Sequence, residues 1–327
     1  MFVHHILAPN ALGPTITIGE ILVEIMATEV GEGFAPPLTF TGPYPSGAPA
    51  IFIDQCVKLT KNAGIIGTVG NDAFGQINVK RLEKDGVDIS AISIDDSLPT
   101  GSAFVRYRED GERDFVFNIV ASAAGKIVRN KETDTLISKA GHMHIMGTLL
   151  AIPGAWEMAE YAVNVIKKNG GTLSFDPNIR KELTADSVFT QRLAYLLSQT
   201  DLLLPSGEEI LTITNTSSLT DAIKNIFSLG VSEVVLKQGR EGATSYHRNG
   251  DIVSEKAFEI EEIDPTGAGD CFGATYVSCR RLGMTLNDSL TLANAAGARN
   301  VQFTGPMEGT ATLDELQTFI QNVSRKI

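Results

Sequence analysis

Three cysteines, one tryptophan and five histidines in 327 residues leave little material for several common kinds of protein. Cys56, Cys271 and Cys279 are odd in number and make no Cys-x-x-Cys pair, so neither a disulfide framework nor a zinc site is supported. They read as reduced core residues, and Cys271 is expected to pack on a helix face rather than to react. The histidines lack metal-ligand spacing as well. Positive charge is scarce: 27 Lys and Arg against 39 Asp and Glu give a formal net charge of −12, the wrong sign for nucleic acid or an anionic membrane as the main partner. No apolar run approaches the roughly 18 residues that span a bilayer, and the first residues show no basic region leading into a signal core. A cytoplasmic location is therefore the expectation. Internal repeats and low-complexity segments are absent too.

What the chain does have is core material and one unusual turn. Its 43% hydrophobic and 20% charged residues are ordinary globular values. Its length is large for one domain and small for three, which fits a large domain over residues 15–327 with a small one inserted. Met1 to Pro14 reads as a loose N-terminal extension. The turn is Asp264-Pro265-Thr266-Gly267-Ala268-Gly269-Asp270. Asp264-Pro265 stops the preceding segment, Gly267 and Gly269 permit a tight turn, and Phe272, Tyr276, Cys279 and Leu282 then mark a helical face. Amides at such a helix N-terminus attract an anion, and a phosphate oxyanion is the natural guest. The carboxylate of Asp270 would repel that guest unless it has separate work to do. Phosphoryl transfer to an alcohol supplies that work, because it needs both positive dipoles and a base for the alcohol's proton. The residues alone also allow a plainer reading, in which Thr266 or Asp270 caps the helix and the glycines only turn the chain.

Thr266-Gly267-Ala268-Gly269-Asp270 followed by Cys271-Phe272 resembles the C-terminal signature of the ribokinase family, the PfkB-type carbohydrate kinases. The resemblance runs along the chain from Thr15 onward. It implies an α/β fold, a three-layer sandwich with a mostly parallel central sheet and a small β-sheet lid. It also implies Gly267, Ala268 and Gly269 as the anion hole, Asp270 as the base on the sugar hydroxyl, and ATP with Mg²⁺ as requirements. The acidic net charge does not oppose this, since local amides and one or two basic residues can hold a triphosphate with Mg²⁺.

The rest of the chain can be taken in order. Thr15 to Met26 reads as a central strand running out to an active-site edge. Glu24 stands where the family has a sugar-binding aspartate, and contact with a hydroxyl and simple solvation are both open for the longer side chain. Ser46-Gly47-Ala48-Pro49-Ala50-Ile51 resembles the family's Gly-Gly-x-x-x-Asn turn, which implies Gly47 at the substrate, with Ile51 in place of the asparagine. Asp110-Gly111 marks a hairpin joining two alternating segments. By resemblance, segments of about 26–45 and 88–119 form a lid that covers the sugar, excludes water and makes the contact of a homodimer. Asn118 on its returning strand becomes a hydroxyl partner. After Lys131 helices and strands alternate, which predicts a parallel sheet with strands at His142 to Met146, Thr172 to Phe175 and Leu202 to Leu204.

Polar clusters follow two of these strands. Asp176-Pro177-Asn178-Ile179-Arg180 resembles the family's Asp-x-Asn-x-Arg and implies Arg180 near substrate and phosphate. Pro205-Ser206-Gly207-Glu208-Glu209 resembles Asn-x-x-Glu, with Glu209 as the glutamate that orders Mg²⁺ through water; helix capping explains these residues equally well. Lys237 ends a buried strand before the Gly239-x-x-Gly242 loop that the family sets against ATP, and the resemblance implies all three residues beside the nucleotide. In the small-residue helix Ala293 to Ala298, Asn294 matches a nucleotide contact, and close helix packing is an equally good reading. Thr266 joins the nucleotide residues, and with Asp264 it matches the family's monovalent-cation loop, implying K⁺.

The departures bear on the substrate. Members acting on 2-keto-3-deoxygluconate carry a Tyr-Tyr-x run with an arginine on the returning lid strand, where this chain has Phe117-Asn118-Ile119. An aldonate carboxylate would lose a cationic partner there, and poorly paired buried charge is costly. The Gly19 to Glu24 strand and the Pro45 to Ile51 turn look like those of ketohexose kinases of the tagatose kinase type. A neutral ketohexose such as tagatose or fructose is the expected substrate, with 2-keto-3-deoxygluconate as the alternative. A catalytically silent sugar- or nucleotide-binding regulator is the reading from another class, and intact Gly267, Gly269 and Asp270 speak against it.

Overall fold

Short apolar runs rich in Val, Ile and Leu make strands buried on both faces, and the computed structural model, which describes residues 6–178 and 187–325, stacks them into one large sheet. Strand β1 (Thr15–Ile18) leads into the lid strands β2 (Leu22–Ala27) and β3 (Phe40–Ser46), and helix α1 (Ala48–Thr60) returns to β4 (Ala63–Gly70). Helix α2 (Ala73–Asp85) connects to the edge strand β5 (Ile92–Asp95), and a second excursion makes the lid hairpin β6 (Gly101–Tyr107) and β7 (Arg113–Asn118). Alternation follows as expected: α3 (Lys131–Lys139), β8 (His142–Met146), α4 (Pro153–Lys168), β9 (Thr172–Asp176), α5 (Ser187–Gln199) and β10 (Leu202–Leu203). Helices α6 (Glu209–Thr214) and α7 (Leu219–Ser228) precede β11 (Glu233–Lys237) and the antiparallel pair β12 (Ala243–His247) and β13 (Ile252–Glu255). The chain closes with α8 (Ala268–Arg281), α9 (Leu286–Asn300) and α10 (Leu313–Asn322).

The large sheet runs β13-β12-β11-β10-β9-β8-β1-β4-β5, and the separate lid sheet runs β3-β2-β6-β7. Neighbouring residues of one strand feed opposite cores. Ile65 packs with α1, α8 and α9 on one face, while Ile66 packs with α3, α4 and α5 on the other; Val235 and Val234 divide in the same way. This period of two, apolar on both sides, makes the three-layer sandwich.

Three expectations change. The N-terminal stretch is not loose from residue 7 onward: Leu7 and Ala8 are buried, and the buried guanidinium of Arg281 donates to the carbonyls of Ala8 (2.9 Å) and Gly13 (2.8 Å). The single strand expected over Thr15 to Met26 is two strands in different sheets, broken at 19–21. An apolar alternation reads alike in one strand or two, so only the turn distinguishes them. That break fits because a Cβ on Gly47 (φ 109°) would strike the Glu20 carbonyl, so α1 starts directly against it. The lid also differs in extent, since β2 begins at Leu22 and β5 belongs to the large sheet.

One buried carboxyl makes the fold sensitive to pH. Asp54 on α1 is fully buried; burial pushes its pKa from the ordinary 3.8 up to about 7, against the pull of Arg81 at 3.6 Å and Lys58 at 4.0 Å. The folded chain holds this proton more tightly than the unfolded one. The group's contribution to stability is therefore fully present below about pH 4 and is lost as pH rises through about 7. Asp54→Asn removes that dependence. The difference in melting temperature, variant minus wild type, is expected to be more positive at about pH 8.5 than at about pH 5.5. Thermal melts at the two pH values check this, and an equal difference at both would refute it.

Candidate active site

Strands β1, β8, β9, β10 and β11 run parallel, so the residues that follow or end them meet at one rim of the large sheet. The chain passes outward from β1 toward β4 on one side and β8 on the other, and such a switch point leaves a crevice. Two cavities open there. One, of about 580 Å³, lies between the rim and the lid; the other, of about 680 Å³, lies between the Gly239–Gly242 loop and helices α8 and α9. They share Ser206, Lys237, Pro265 and Gly269, so they meet at the start of α8.

That start is built by local rules. Gly267 is the N-cap at φ 81°, where a Cβ would also stand 2.5 Å from the Pro306 carbonyl. The Ala268 amide turns back to Pro265 O at 3.3 Å, and Cys271 N makes the first helical bond to Gly267 O at 2.9 Å. Gly269 and Asp270 carry first-turn amides, for which a helix has no internal acceptor. Asp270 lines the lid-side chamber and Ala268 the other groove, so the turn forms a partition between them.

A cation faces the partition. Lys237 at the end of β11 pairs with Asp176 at the end of β9, and a Cβ on Gly269 would lie 3.6 Å from its Nζ. Burial works against the charge on Lys237, but Asp176, Glu209 and Asp270 around it raise its pKa above the ordinary value, so it stays an ammonium.

The chamber's polar walls come from the rim and the lid. Glu20, buried in the β1–β2 turn, accepts the Thr148 hydroxyl on both oxygens, at 2.9 and 3.1 Å. Glu24 is also buried, on β2 between β3 and β6, so it belongs to the lid sheet rather than to the end of a central strand. Asn118 donates to Ser102 Oγ at 3.1 Å, and Asn178 continues the wall beyond Asp176. Apolar surface comes from Ile51 and from Phe115 and Phe117, whose rings stack 4.9 Å apart.

The expected site residues thus divide cleanly. Glu24, Gly47, Asn118, Glu209, Thr266, Gly267 and Asp270 line the chamber; Gly239, Gly242, Ala268 and Asn294 line the groove; Lys237 and Gly269 line both. Arg180 lies outside the described residues. Asn294 spends its amide protons on Glu255 O (3.1 Å) and Lys256 O (3.4 Å), so it fastens α9 to the end of β13 while it lines the groove. Glu209 accepts from Ser206 N at 2.6 Å, a capping bond made by a residue that also faces the chamber. Glu20 and Arg113 were not among the expected residues. For Arg113 the signal was present in the alternation of β7, which puts Arg113, Phe115 and Phe117 on one face, whereas Glu20 lies in the turn between two sheets, outside any strand alternation.

The two metals implied by the sequence fare differently. Among the described residues no group of three or more His, Cys, Asp or Glu is placed to hold a metal ion. A Mg²⁺ ion carried mainly by phosphate oxygens and water would find Glu209 as a carboxylate in the chamber wall. A monovalent cation at Asp264 and Thr266 does not fit. Asp264 Oδ1 accepts from Thr266 N at 3.0 Å and from the Tyr107 hydroxyl, and Oδ2 accepts from Gly305 N at 2.9 Å. The Thr266 carbonyl is taken by Asn300 Nδ2 at 2.8 Å.

Known proteins share this architecture. A family model described as pfkB family carbohydrate kinase matches residues 43–313. Fructokinase-1 of Zea mays is 29% identical over 319 residues, covering 94% of this chain and 97% of its own. The 2-dehydro-3-deoxygluconokinase of Bacillus subtilis is 29% identical over 312 residues, covering 93% and 94%. An E. coli chain described as a candidate ribokinase II, solved with ATP and Mg²⁺, aligns with a TM-score of 0.88 at 46% identity, covering 94% of this chain and 99% of its own.

The Lys237–Asp176 pair yields a direct test. Removing the ammonium strands a buried carboxylate, which costs on the order of 3–5 kcal/mol. Lys237→Met is expected to lower the urea midpoint strongly, and adding Asp176→Asn to recover much of the loss. Equilibrium urea denaturation reads both; no recovery in the double variant would show that the pair does not carry the stability assigned to it.

Proposed function

The chain belongs to the pfkB family of carbohydrate kinases, and on that premise we propose that it transfers the γ-phosphoryl group of ATP to a hydroxyl of a neutral ketohexose such as tagatose or fructose. The observation that carries this reading is the position of Asp270. It sits in the first turn of α8 and in the wall of the lid-covered chamber, so a base for the acceptor and amides for the phosphoryl group occupy the same turn.

In this reading the sugar lies in the chamber among Glu20, Glu24 and Asn118, and ATP lies along the groove past Gly239, Gly242 and Asn294. Asp270 takes the proton of the acceptor hydroxyl, the oxygen forms its bond to the γ-phosphorus, and the bond from that phosphorus to the bridging oxygen of ADP breaks. Charge on the transferring oxygens meets the Gly269 and Asp270 amides and the Lys237 ammonium, which are in place before the reaction starts. Glu209 would hold Mg²⁺ through water, and that ion would neutralise phosphate charge. The lid walls Phe115 and Phe117 keep water from the acceptor's place.

A second reading, 2-keto-3-deoxygluconate as acceptor, gains from Arg113 inside the chamber and from the B. subtilis relative. Against it, Arg113 points toward the transfer end, with Nη1 3.5 Å from Thr266 Oγ1, while the stretch expected to meet a carboxylate is Phe117-Asn118-Ile119, which carries no cation. On the lid's outer face Phe40 meets Phe104 edge-on beside exposed Val116, which supports pairing of two copies lid to lid.

Asp270→Asn is expected to leave sugar and ATP binding nearly intact while lowering kcat by roughly two to four orders of magnitude, as loss of a general base does. Near-normal turnover in a coupled ADP-release assay would reject Asp270 as the base. The substrate assignment is checked separately, by kcat/KM for tagatose, fructose, ribose and 2-keto-3-deoxygluconate measured in parallel. A ketohexose is expected to lead, and a clear preference for the keto acid would transfer the assignment to the second reading.

A further inference from the structure

The turn that precedes the anion hole is held by the lid. Tyr107 and Arg113 are paired directly across the β6–β7 hairpin and face the same side, toward 264–266. The Tyr107 hydroxyl donates to Asp264 Oδ1 and lies 3.0 Å from Thr266 Oγ1, and Arg113 Nη1 reaches the same Oγ1 at 3.5 Å. Asp264 is 1% exposed, and its charge needs compensation there. The compensation in place is the hydroxyl, the amides of Thr266 and Gly305, and the guanidinium one contact further out.

We propose that the Tyr107 hydroxyl, delivered by the lid hairpin, fills the role that a monovalent cation would have beside Asp264, so that this enzyme works without potassium and its transfer turn is set by lid contact. The oxygens that a cation shell would draw on already accept hydrogen bonds from the protein. The Thr266 carbonyl accepts from Asn300, and the Val301 carbonyl accepts from Ile263 N at 2.7 Å and Asp264 N at 3.0 Å. Burial and the Asp264 charge raise the Tyr107 pKa, which keeps the phenol a donor. Tyr107 is a positioning residue in this scheme: it fixes Asp264 and Thr266, and they fix the Gly267 N-cap on which the amides of α8 depend.

The consequence for catalysis rests on the reading of 264–270 as the transfer turn, and the test keeps the two apart. Melting temperatures without substrates, in potassium or sodium chloride, read the hydroxyl's role alone. Wild type is expected to melt alike in both salts. Tyr107→Phe, which removes one oxygen and keeps the ring, is expected to melt lower in sodium and to be raised by potassium entering beside Asp264. A wild type stabilised by potassium, or a variant indifferent to it, overturns the proposal. In turnover assays the variant is expected to lose about tenfold in kcat in sodium, the effect of one hydrogen bond to a charged group, and to recover part of it in potassium. A variant whose melting responds to potassium while its kcat matches wild type would instead refute the placing of transfer at this turn.

Discussion

The rim of the sheet holds one largely enclosed ammonium among three carboxylates, and the site depends on that balance. Lys237 stays charged because Asp176, Glu209 and Asp270 outweigh the cost of its burial, and Asp176 tolerates burial because Lys237 is beside it. These groups arrive on β9, β11, α6 and α8, so the large sheet must be complete before the charge has its surroundings. Net positive potential from the first turn of α8 adds to the same spot. On the proposed reading, a phosphoryl group at this junction would meet the dipoles of the first turn of α8 and the Lys237 ammonium, both in place beforehand.

Glycine governs how closely the parts approach. Gly47 lets α1 start against the Glu20 carbonyl, which sets the break between the two sheets, and Gly267 lets α8 start in a left-handed residue under the Pro306 carbonyl. The two positions share a wall, since Ile51 from the first turn of α1 lies near where a Gly267 Cβ would be. Chamber and anion turn are therefore packed against each other rather than joined by flexible chain. The lid adds a third tie through Tyr107, so the lid sheet and the turn 264–270 are one connected structure.

Much of this was legible in the residues, for reasons that can be named. The turn 264–270 follows from the φ freedom of glycine, the restriction before proline and the helical spacing after it, all of which act over a few residues. The Asp110-Gly111 hairpin and the alternation after Lys131 are equally local signals, and β6, β7 and β8 lie where they put them. The break at 19–21 was not legible, because two short strands with continuous alternation look like one long strand. Glu20 was passed over for the same reason: within a single strand it is an interior residue, whereas in a turn between sheets it faces the chamber.

By itself, then, the sequence determined the alternation of strands and helices and the glycine-permitted helix start after Asp264-Pro265, because these rest on backbone preferences between near neighbours. Tertiary structure alone decided the partners of the charged groups. Asp264 and Thr266 match a cation loop as a string of residues, yet in space the Asp264 carboxylate meets a tyrosine from β6 and an amide from residue 305. Arg281 serves the N-terminal stretch from 273 positions away, and Lys237 finds Asp176 on another strand. Hydrogen bonds and ion pairs are fixed by atoms within about 3 Å, and separation along the chain carries no information about which atoms those will be until the sheet has brought them together.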